Sequence, residues 1–441
     1  MFFVLCYHFF YSMLKKRFSL SSDFTKNTLT LVVGTVIAQA IPFILHPFLR
    51  RLYSAEDFGA MAVYLNIFGV ITIISALRYE AAIVLPKNDN ESANILSLTF
   101  FINLLISAIL LLALLLFKDP IVHFLNFPVQ YANYLYILPI ASSVFGIYQS
   151  INYWLIRQKA FKASTSNKVV RRVVEGGVQT TFGLLRIPGG LFLGDLLGNL
   201  ANVLAGFRQA FKNNFHFKQV SVKKMAFVFK KYIEYPKYNV IPTLMSSVAN
   251  VLPFLIINKI YSTETVGYLD LSKLVLSIPL IFISSTISQV LFQQITAKKH
   301  ESQSVKNDVR NILFLLLAVA IFEIVVIQFL GPPLFAWVFG EQYALSGAFS
   351  QILIFSFILN FIGSTFSSVF MTFNRIKMNS VWQICYFAAI CSLFFFKGLS
   401  INDFLKIYVG IEVLMHLTYC AMIYWVVDQY EKKNTNEKLD R

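Results

Sequence analysis

From Asn94 to Phe117 the chain reads NILSLTFFINLLISAILLLALLLF, 24 residues without a single charge. An α-helix rises about 1.5 Å per residue, so this run is long enough to cross about 30 Å of hydrocarbon. A soluble helix of that length carries a charged face, and here the polar side chains are a few scattered Asn, Ser and Thr. The run reads as a membrane span.

The same reading finds eleven more such runs, at about 28–49, 60–85, 131–154, 168–186, 189–210, 238–258, 267–296, 311–330, 346–371, 378–396 and 403–427. The expected fold is an all-α polytopic membrane protein of about twelve transmembrane helices. Composition agrees, with 57% hydrophobic and only 14% charged residues, against about a quarter charged in a soluble domain. Those figures exclude a soluble enzyme, a disordered chain and a disulfide scaffold. Cys6, Cys385, Cys391 and Cys420 sit in or beside apolar runs and read as small buried hydrophobes. The fifth run is different, for it holds Lys168, Arg171, Arg172, Glu175 and Gln179. A helix that polar cannot face lipid on all sides; if it spans, it lines something wet.

The net charge is +16, and its distribution orients the chain. With the N-terminus inside, about 29 Lys and Arg fall in inside segments, about 6 in outside loops and about 3 within helices. That asymmetry puts both termini in the cytoplasm. It also accounts for the charge without nucleic acid, because the basic loops face anionic lipid headgroups. The expected organisation is a cytoplasmic segment 1–27, a first lobe 28–210, a basic cytoplasmic linker 211–237, a second lobe 238–427 and a tail 428–441. Met1 to Leu14 is apolar and precedes Lys15-Lys16-Arg17, the wrong order for a signal peptide. It is either an interfacial segment or a leader upstream of a true start at Met13.

The two lobes carry a repeat. Arg51-Leu-Tyr-Ser-Ala-Glu-Asp-Phe-Gly59 follows the first helix, and Lys259-Ile-Tyr-Ser-Thr-Glu-Thr-Val-Gly267 follows the seventh. Tyr, Ser, Glu and Gly coincide at a constant offset, in outside turns where Ser can cap the next helix. Both preceding helices hold two prolines, Pro42 and Pro47 in one and Pro242 and Pro253 in the other. The repeats run parallel, related by a pseudo-twofold axis along the membrane normal, a transporter's layout.

These residues carry a resemblance. Tyr53-Ser-Ala-Glu-Asp-Phe-Gly59 and Arg78-Tyr-Glu-Ala-Ala-Ile-Val-Leu-Pro-Lys87 are similar to motifs of the Wzx-type polysaccharide (O-antigen) flippases. Asn152-Tyr-Trp-Leu-Ile-Arg-Gln-Lys159, Val266-Gly-Tyr268, Ser277-Ile-Pro-Leu280 and Leu334-Phe335 to Phe339-Gly340 extend it over roughly 24–427. The chain departs from the pattern in its first dozen residues and its polar fifth helix. The resemblance implies the multidrug/oligosaccharidyl-lipid/polysaccharide (MOP) exporter superfamily, with two six-helix lobes rocking around a central cavity. It implies movement of an undecaprenyl-diphosphate-linked oligosaccharide from the inner to the outer face of a bacterial inner membrane. The partners it implies are that lipid, membrane lipids, and polymerase and chain-length proteins of the same pathway.

Such a substrate needs a wet route with cations for the diphosphate. Arg78 is the first choice, lying about seven residues inside the cytoplasmic end of the second run, where Glu80 would fall off its face; snorkelling to the surface is the plainer reading. Arg171 and Arg172 are the next candidates, either lining a cavity or paired locally with Glu175. Lys273 is a second-lobe candidate, with Asp270 three residues before it as a local partner. Candidates for coupling to an ion are Glu323, alone near mid-membrane, together with Glu175, Asp270 and Glu412. Glu412 lies one turn from His416, which serves either as a relay or as a structural hydrogen bond. Gly190, Gly194 and Gly198, around Asp195, read as a close helix-packing face.

Nothing points to an enzyme or a cofactor: there is no P-loop, GxSxG, HExxH or dinucleotide fingerprint. The external loops look short, the longest being 118–130 and 331–345, which disfavours a membrane polymerase. The remaining alternatives are a multidrug or metabolite exporter of the same architecture and a non-transporting scaffold.

Overall fold

The computed structural model describes residues 23–396 and 398–439, and the Met1–Leu14 segment with its Met13 alternative lies outside them. Among the described residues the chain is helical, with no strand. The first lobe comprises α1 (Asp23–Leu52), α2 (Ala55–Ser75), α3 (Asp89–Leu125), α4 (Ile137–Arg157), α5 (Phe161–Leu184) and α6 (Gly190–Lys212). A short helix, α7 (Val222–Lys231), lies in the linker. The second lobe comprises α8 (Ile241–Ile260), α9 (Thr263–His300), α10 (Lys306–Phe339), α11 (Ala344–Thr365), the short α12 (Ser368–Thr372), α13 (Ile376–Cys391) and α14 (Ile401–Leu439).

Each of the twelve expected runs overlaps at least one of these helices. Among the described residues ten helical segments are long and apolar enough to cross a membrane. The remaining runs fall on α1 and on the polar α5. The outward faces of α3 and α10 expose Phe101, Leu105, Leu112, Leu116, Phe314 and Phe322. So large an apolar belt is stable only against lipid. The protein is a multi-pass membrane protein.

The lobes repeat their packing. In the first lobe α1 packs on α5, α3 on α4 and α4 on α6. In the second, α8 packs on α13, α10 on α11 and α11 on α14. The repeated turns begin α2 and α9. Ser54 Oγ accepts from Asp57 N at 3.1 Å and Ser262 Oγ from Thr265 N at 3.0 Å, so each serine caps its helix. The reciprocal half of the first cap comes from Asp57, whose Oδ2 accepts from Ser54 N at 2.7 Å.

Two expectations need correction. The second run is not one helix over 60–85: α2 ends at Ser75, Leu77 and Arg78 are left-handed (φ 47° and 62°), and a 3-10 turn covers Tyr79–Val84. The supposed outer loops 118–130 and 331–345 are largely helical, because α3 continues to Leu125 through Pro120 and α10 to Phe339 through Pro332 and Pro333. A kink at Phe117 (φ −127°) accommodates the first of these prolines. The linker packs against the first lobe. Val228 is buried, Tyr79 Oη donates to Phe229 O at 2.9 Å, and Lys231 Nζ meets Glu91 Oε1 at 2.6 Å. That hydrogen bond holds the Lys231 ammonium above its ordinary pKa.

Candidate functional site

The lobes meet most closely at the end bearing the two repeated turns, called here the turn end. Asn258 Nδ2 donates to Leu125 O at 2.6 Å, and Asn126 Nδ2 donates to Asn258 O at 2.9 Å. Arg51 reaches Val338 O at 3.3 Å. Arg50, fully buried, donates to Gly267 O at 3.1 Å and to Asp270 Oδ2 at 2.6 Å. The described hydrogen bonds between lobes gather at this end.

Directly beneath lies a cavity of about 260 Å³. α1 supplies Gln39, Pro42, His46 and Leu49, and α2 supplies Phe58, Met61 and Leu65. α5 supplies Arg172, Glu175, Gly176 and Gln179, and α9 supplies Asp270, Leu274 and Ile278. Both lobes therefore build the wall, and α5 brings its polar side chains to it. This explains how so polar a helix is accommodated: Arg172 and Glu175 face the cavity and Arg171 faces α6.

The structure sorts the candidate residues. Arg172, Glu175 and Asp270 line the cavity together. Arg172 Nη1 pairs with Glu175 Oε2 at 2.9 Å. Arg171 turns toward α6, where it meets Asp195 Oδ1 at 3.2 Å and stands 3.8 Å from Glu175. Asp195 is 1% exposed and also accepts from Asn199 Nδ2 at 3.1 Å. Gly194 and Gly198 make this approach possible. A Cβ on Gly194 would lie 2.4 Å from Gln179 Cγ, and one on Gly198 would lie 2.8 Å from Glu175 Cβ.

Arg78 is not among the residues lining the cavity. It stands at the break after α2, 3.6 Å from Glu80. Here too the sequence reading needs correcting: the left-handed residues turn the chain, so Arg78 and Glu80 meet although they are two apart. Lys273 Nζ lies 4.0 Å from the Phe254 ring centroid and 5.9 Å from that of Tyr408. Glu412 accepts from Tyr386 Oη at 2.6 Å, while His416 Nδ1 sits 2.8 Å from the Glu412 backbone carbonyl. Glu323 is half-buried on α10, apart from the cavity lining, and its Oε2 has no hydrogen-bond partner among the described residues. Among the described residues no group of His, Cys, Asp and Glu is arranged to hold a metal.

Sequence reasoning missed two residues. Arg50 looked like an outside-loop cation beside Arg51. His46 attracted no attention in an apolar helix, yet it lines the cavity. The available signal was spacing: the constant offset aligns Arg50 with Asn258, just before each turn.

The residues from 48 to 347 match the family model described as polysaccharide biosynthesis protein. The chain belongs to the polysaccharide biosynthesis protein family. Among curated proteins none matches the sequence. Solved structures share the fold. An inward-facing multidrug resistance MATE family transporter of the MOP superfamily is 11% identical, with 91% of this chain and 99% of that one covered, at a TM-score of 0.72. An outward-facing structure of such a transporter gives 12% identity, coverage of 92% and 96%, and a TM-score of 0.59. A MOP superfamily transporter from Pyrococcus furiosus, described as having a binding pocket of reverse polarity, gives 10%, 92%, 96% and 0.60. The chain is thus a member of that family built on the fold these transporters share.

Proposed function

We propose that the protein is a flippase carrying an undecaprenyl-diphosphate-linked oligosaccharide from the cytoplasmic to the periplasmic face of the bacterial inner membrane. The observation that carries this reading is the family match across residues 48–347, on a fold whose two lobes close over a shared polar cavity. Alternating access follows from that layout: the lobes separate at the turn end and approach at the other, exposing the same cavity to each side in turn. The Lys and Arg distribution makes the turn end periplasmic and both termini cytoplasmic.

In this reading the oligosaccharide stays in the wet space between the lobes while the polyprenyl tail remains in lipid. Arg172 is the cavity-facing cation for the diphosphate, and Arg171 positions α5 through Asp195. Lys273 serves the second lobe, and Arg78 attracts the headgroup near the cytoplasmic mouth. Glu175, Asp270, Glu323 and Glu412 are the carboxylates available to couple transport to an ion. Membrane lipids and the pathway's polymerase and chain-length proteins are the further partners.

Deleting the gene should abolish the surface polysaccharide and leave lipid-linked repeat units in the inner leaflet, with both restored by the wild-type chain. Unchanged surface polysaccharide contradicts the proposal. A multidrug exporter is the second reading, favoured by the cavity carboxylates Glu175 and Asp270, which suit an organic cation. It predicts drug sensitivity in the deletion strain instead.

A further inference from the structure

The Arg50–Asp270 pair has two unlike sides. Phe58 lies 3.6 Å from the Arg50 guanidinium carbon and Tyr343 lies 5.4 Å from it, measured to the ring centroids. The Arg50 side chain is 0% exposed, whereas that of Asp270 is 29% exposed and lines the cavity. The arginine belongs to α1 of one lobe and the aspartate to α9 of the other. A solute entering the cavity therefore meets the carboxylate, with the guanidinium sealed behind it.

The repeat does not duplicate this pair. The offset of 208 residues maps Arg50 onto Asn258 and Asp270 onto Ala62. Asn258 also ties the lobes, but through neutral amide hydrogen bonds to Leu125 and Asn126. The two equivalent positions therefore tie the lobes differently, one through amides and the other through an ion pair. A buried ion pair adds little net stability over neutral packing, since desolvation offsets the attraction. What it adds is sensitivity to another charge.

A second cation lies on the same helix. Lys273 is one turn along α9 from Asp270, its ammonium lies over Phe254 in the field of both Glu412 and Asp270, and it makes no ion pair among the described residues. Asp270 thus stands between an arginine on the opposite lobe and a lysine on its own, and it engages the first.

We propose that Arg50 and Asp270 form the latch of the turn end, released when an anionic diphosphate headgroup takes the place of Asp270 on Arg50 and Asp270 turns to Lys273. The exchange leaves no charge unpaired in a low-dielectric site. The planar guanidinium gains two phosphate oxygens at once, the carboxylate gains the ammonium, and the interlobe tie is lost. Binding of the headgroup is thereby converted into opening of the side to which it must be delivered. The identity of the ligand rests on the flippase reading; the latch does not.

The test uses the full chain in lipid nanodiscs, with spin labels at the exposed positions Glu56 and Gln342 on opposite lobes. Their separation is measured alone and with polyprenyl diphosphate, inorganic pyrophosphate or polyprenol. The unliganded wild type should be closed, and polyprenyl diphosphate should shift it toward long distances. Polyprenol, having the tail without the charge, should not. Opening by pyrophosphate as well assigns recognition to the diphosphate itself, and opening by the lipid form alone requires its tail; both support the exchange. Asp270→Asn should raise the ratio of open to closed protein without ligand by at least about tenfold, as expected when one partner of a buried pair is removed. Arg50→Gln should be open and unresponsive. The swap Arg50→Asp with Asp270→Arg should close again, and Lys273→Gln should stay closed but respond weakly; these two also serve if Arg50→Gln does not fold. An Asp270→Asn protein as closed as wild type overturns the latch, as does equal opening by polyprenol. If the wild type ignores polyprenyl diphosphate but opens with another solute, the flippase reading falls. If it responds while Asp270→Asn stays shut, the latch alone falls.

Discussion

Gly59 and Gly267 occupy matching places on the two lobes, each set against the other's helix at backbone distance. A Cβ on Gly59 would lie 1.8 Å from the Thr263 carbonyl oxygen, and one on Gly267 would lie 1.9 Å from that of Ala55. Thr263 and Ala55 are themselves equivalent under the 208-residue offset. The repeat read in the sequence is thus the point where α2 and α9 cross, and its glycines are what allow the crossing.

Alanine at either glycine has no flexible side chain to push aside, so the lobes must part. Gly59→Ala and Gly267→Ala should each weaken the closed turn end by about 1–3 kcal/mol, the usual cost of overpacking. The labels at Glu56 and Gln342 should report longer distances. Gly69→Ala is the control, because nothing lies within 4 Å of the added carbon. Unchanged distances in both glycine variants would count against the crossing as the closure point.

Orientation can be tested with thiol chemistry. Cysteines at positions 56 and 341 of the turn end should react with an impermeant reagent added outside intact cells. One at position 224, on the linker helix α7, should react only after permeabilisation. All three positions are exposed. External labelling of position 224 would reverse the topology.

Arg171 and Arg172 are neighbours in sequence with different tasks. Removing Arg171 strands Asp195, which is 1% exposed, so Arg171→Ala should destabilise the protein by about 3–5 kcal/mol. Adding Asp195→Asn should recover much of that loss, read as the melting temperature in detergent. Arg172 faces the cavity, so Arg172→Ala should change melting little and cut transport. Equal melting losses in both variants would contradict this division.

The fold was legible because membrane spans depend on run length and charge, both visible residue by residue. Each of the twelve runs overlaps a helix, ten helical segments among the described residues are long and apolar enough to span, and α5 was marked by its own polarity. The break after α2 was not legible: residues 70–85 hold neither Gly nor Pro, and the turn is made by Leu77 and Arg78 in left-handed conformations. That break gave Arg78 the partner Glu80. The ends of α3 and α10 were also not legible, since both helices continue past their apolar runs through Pro120, Pro332 and Pro333. Of the site, Arg172, Glu175 and Asp270 could be anticipated as charges without a reason to be in lipid. Arg50 could not, because two adjacent arginines at a helix end look like surface anchors until the other lobe is brought against one of them.

The central claim is that the cavity carries a lipid-linked diphosphate oligosaccharide across the bilayer, and reconstitution tests it directly. The purified chain is placed in proteoliposomes holding a fluorescent polyprenyl-diphosphate oligosaccharide, and a membrane-impermeant quencher reads the fraction in the outer leaflet. The account predicts that protein-containing vesicles equilibrate the probe between leaflets, that empty vesicles do not, and that Arg172→Ala slows the exchange. Exchange no faster than in empty vesicles, together with uptake of a cationic drug by the same preparation, would contradict it.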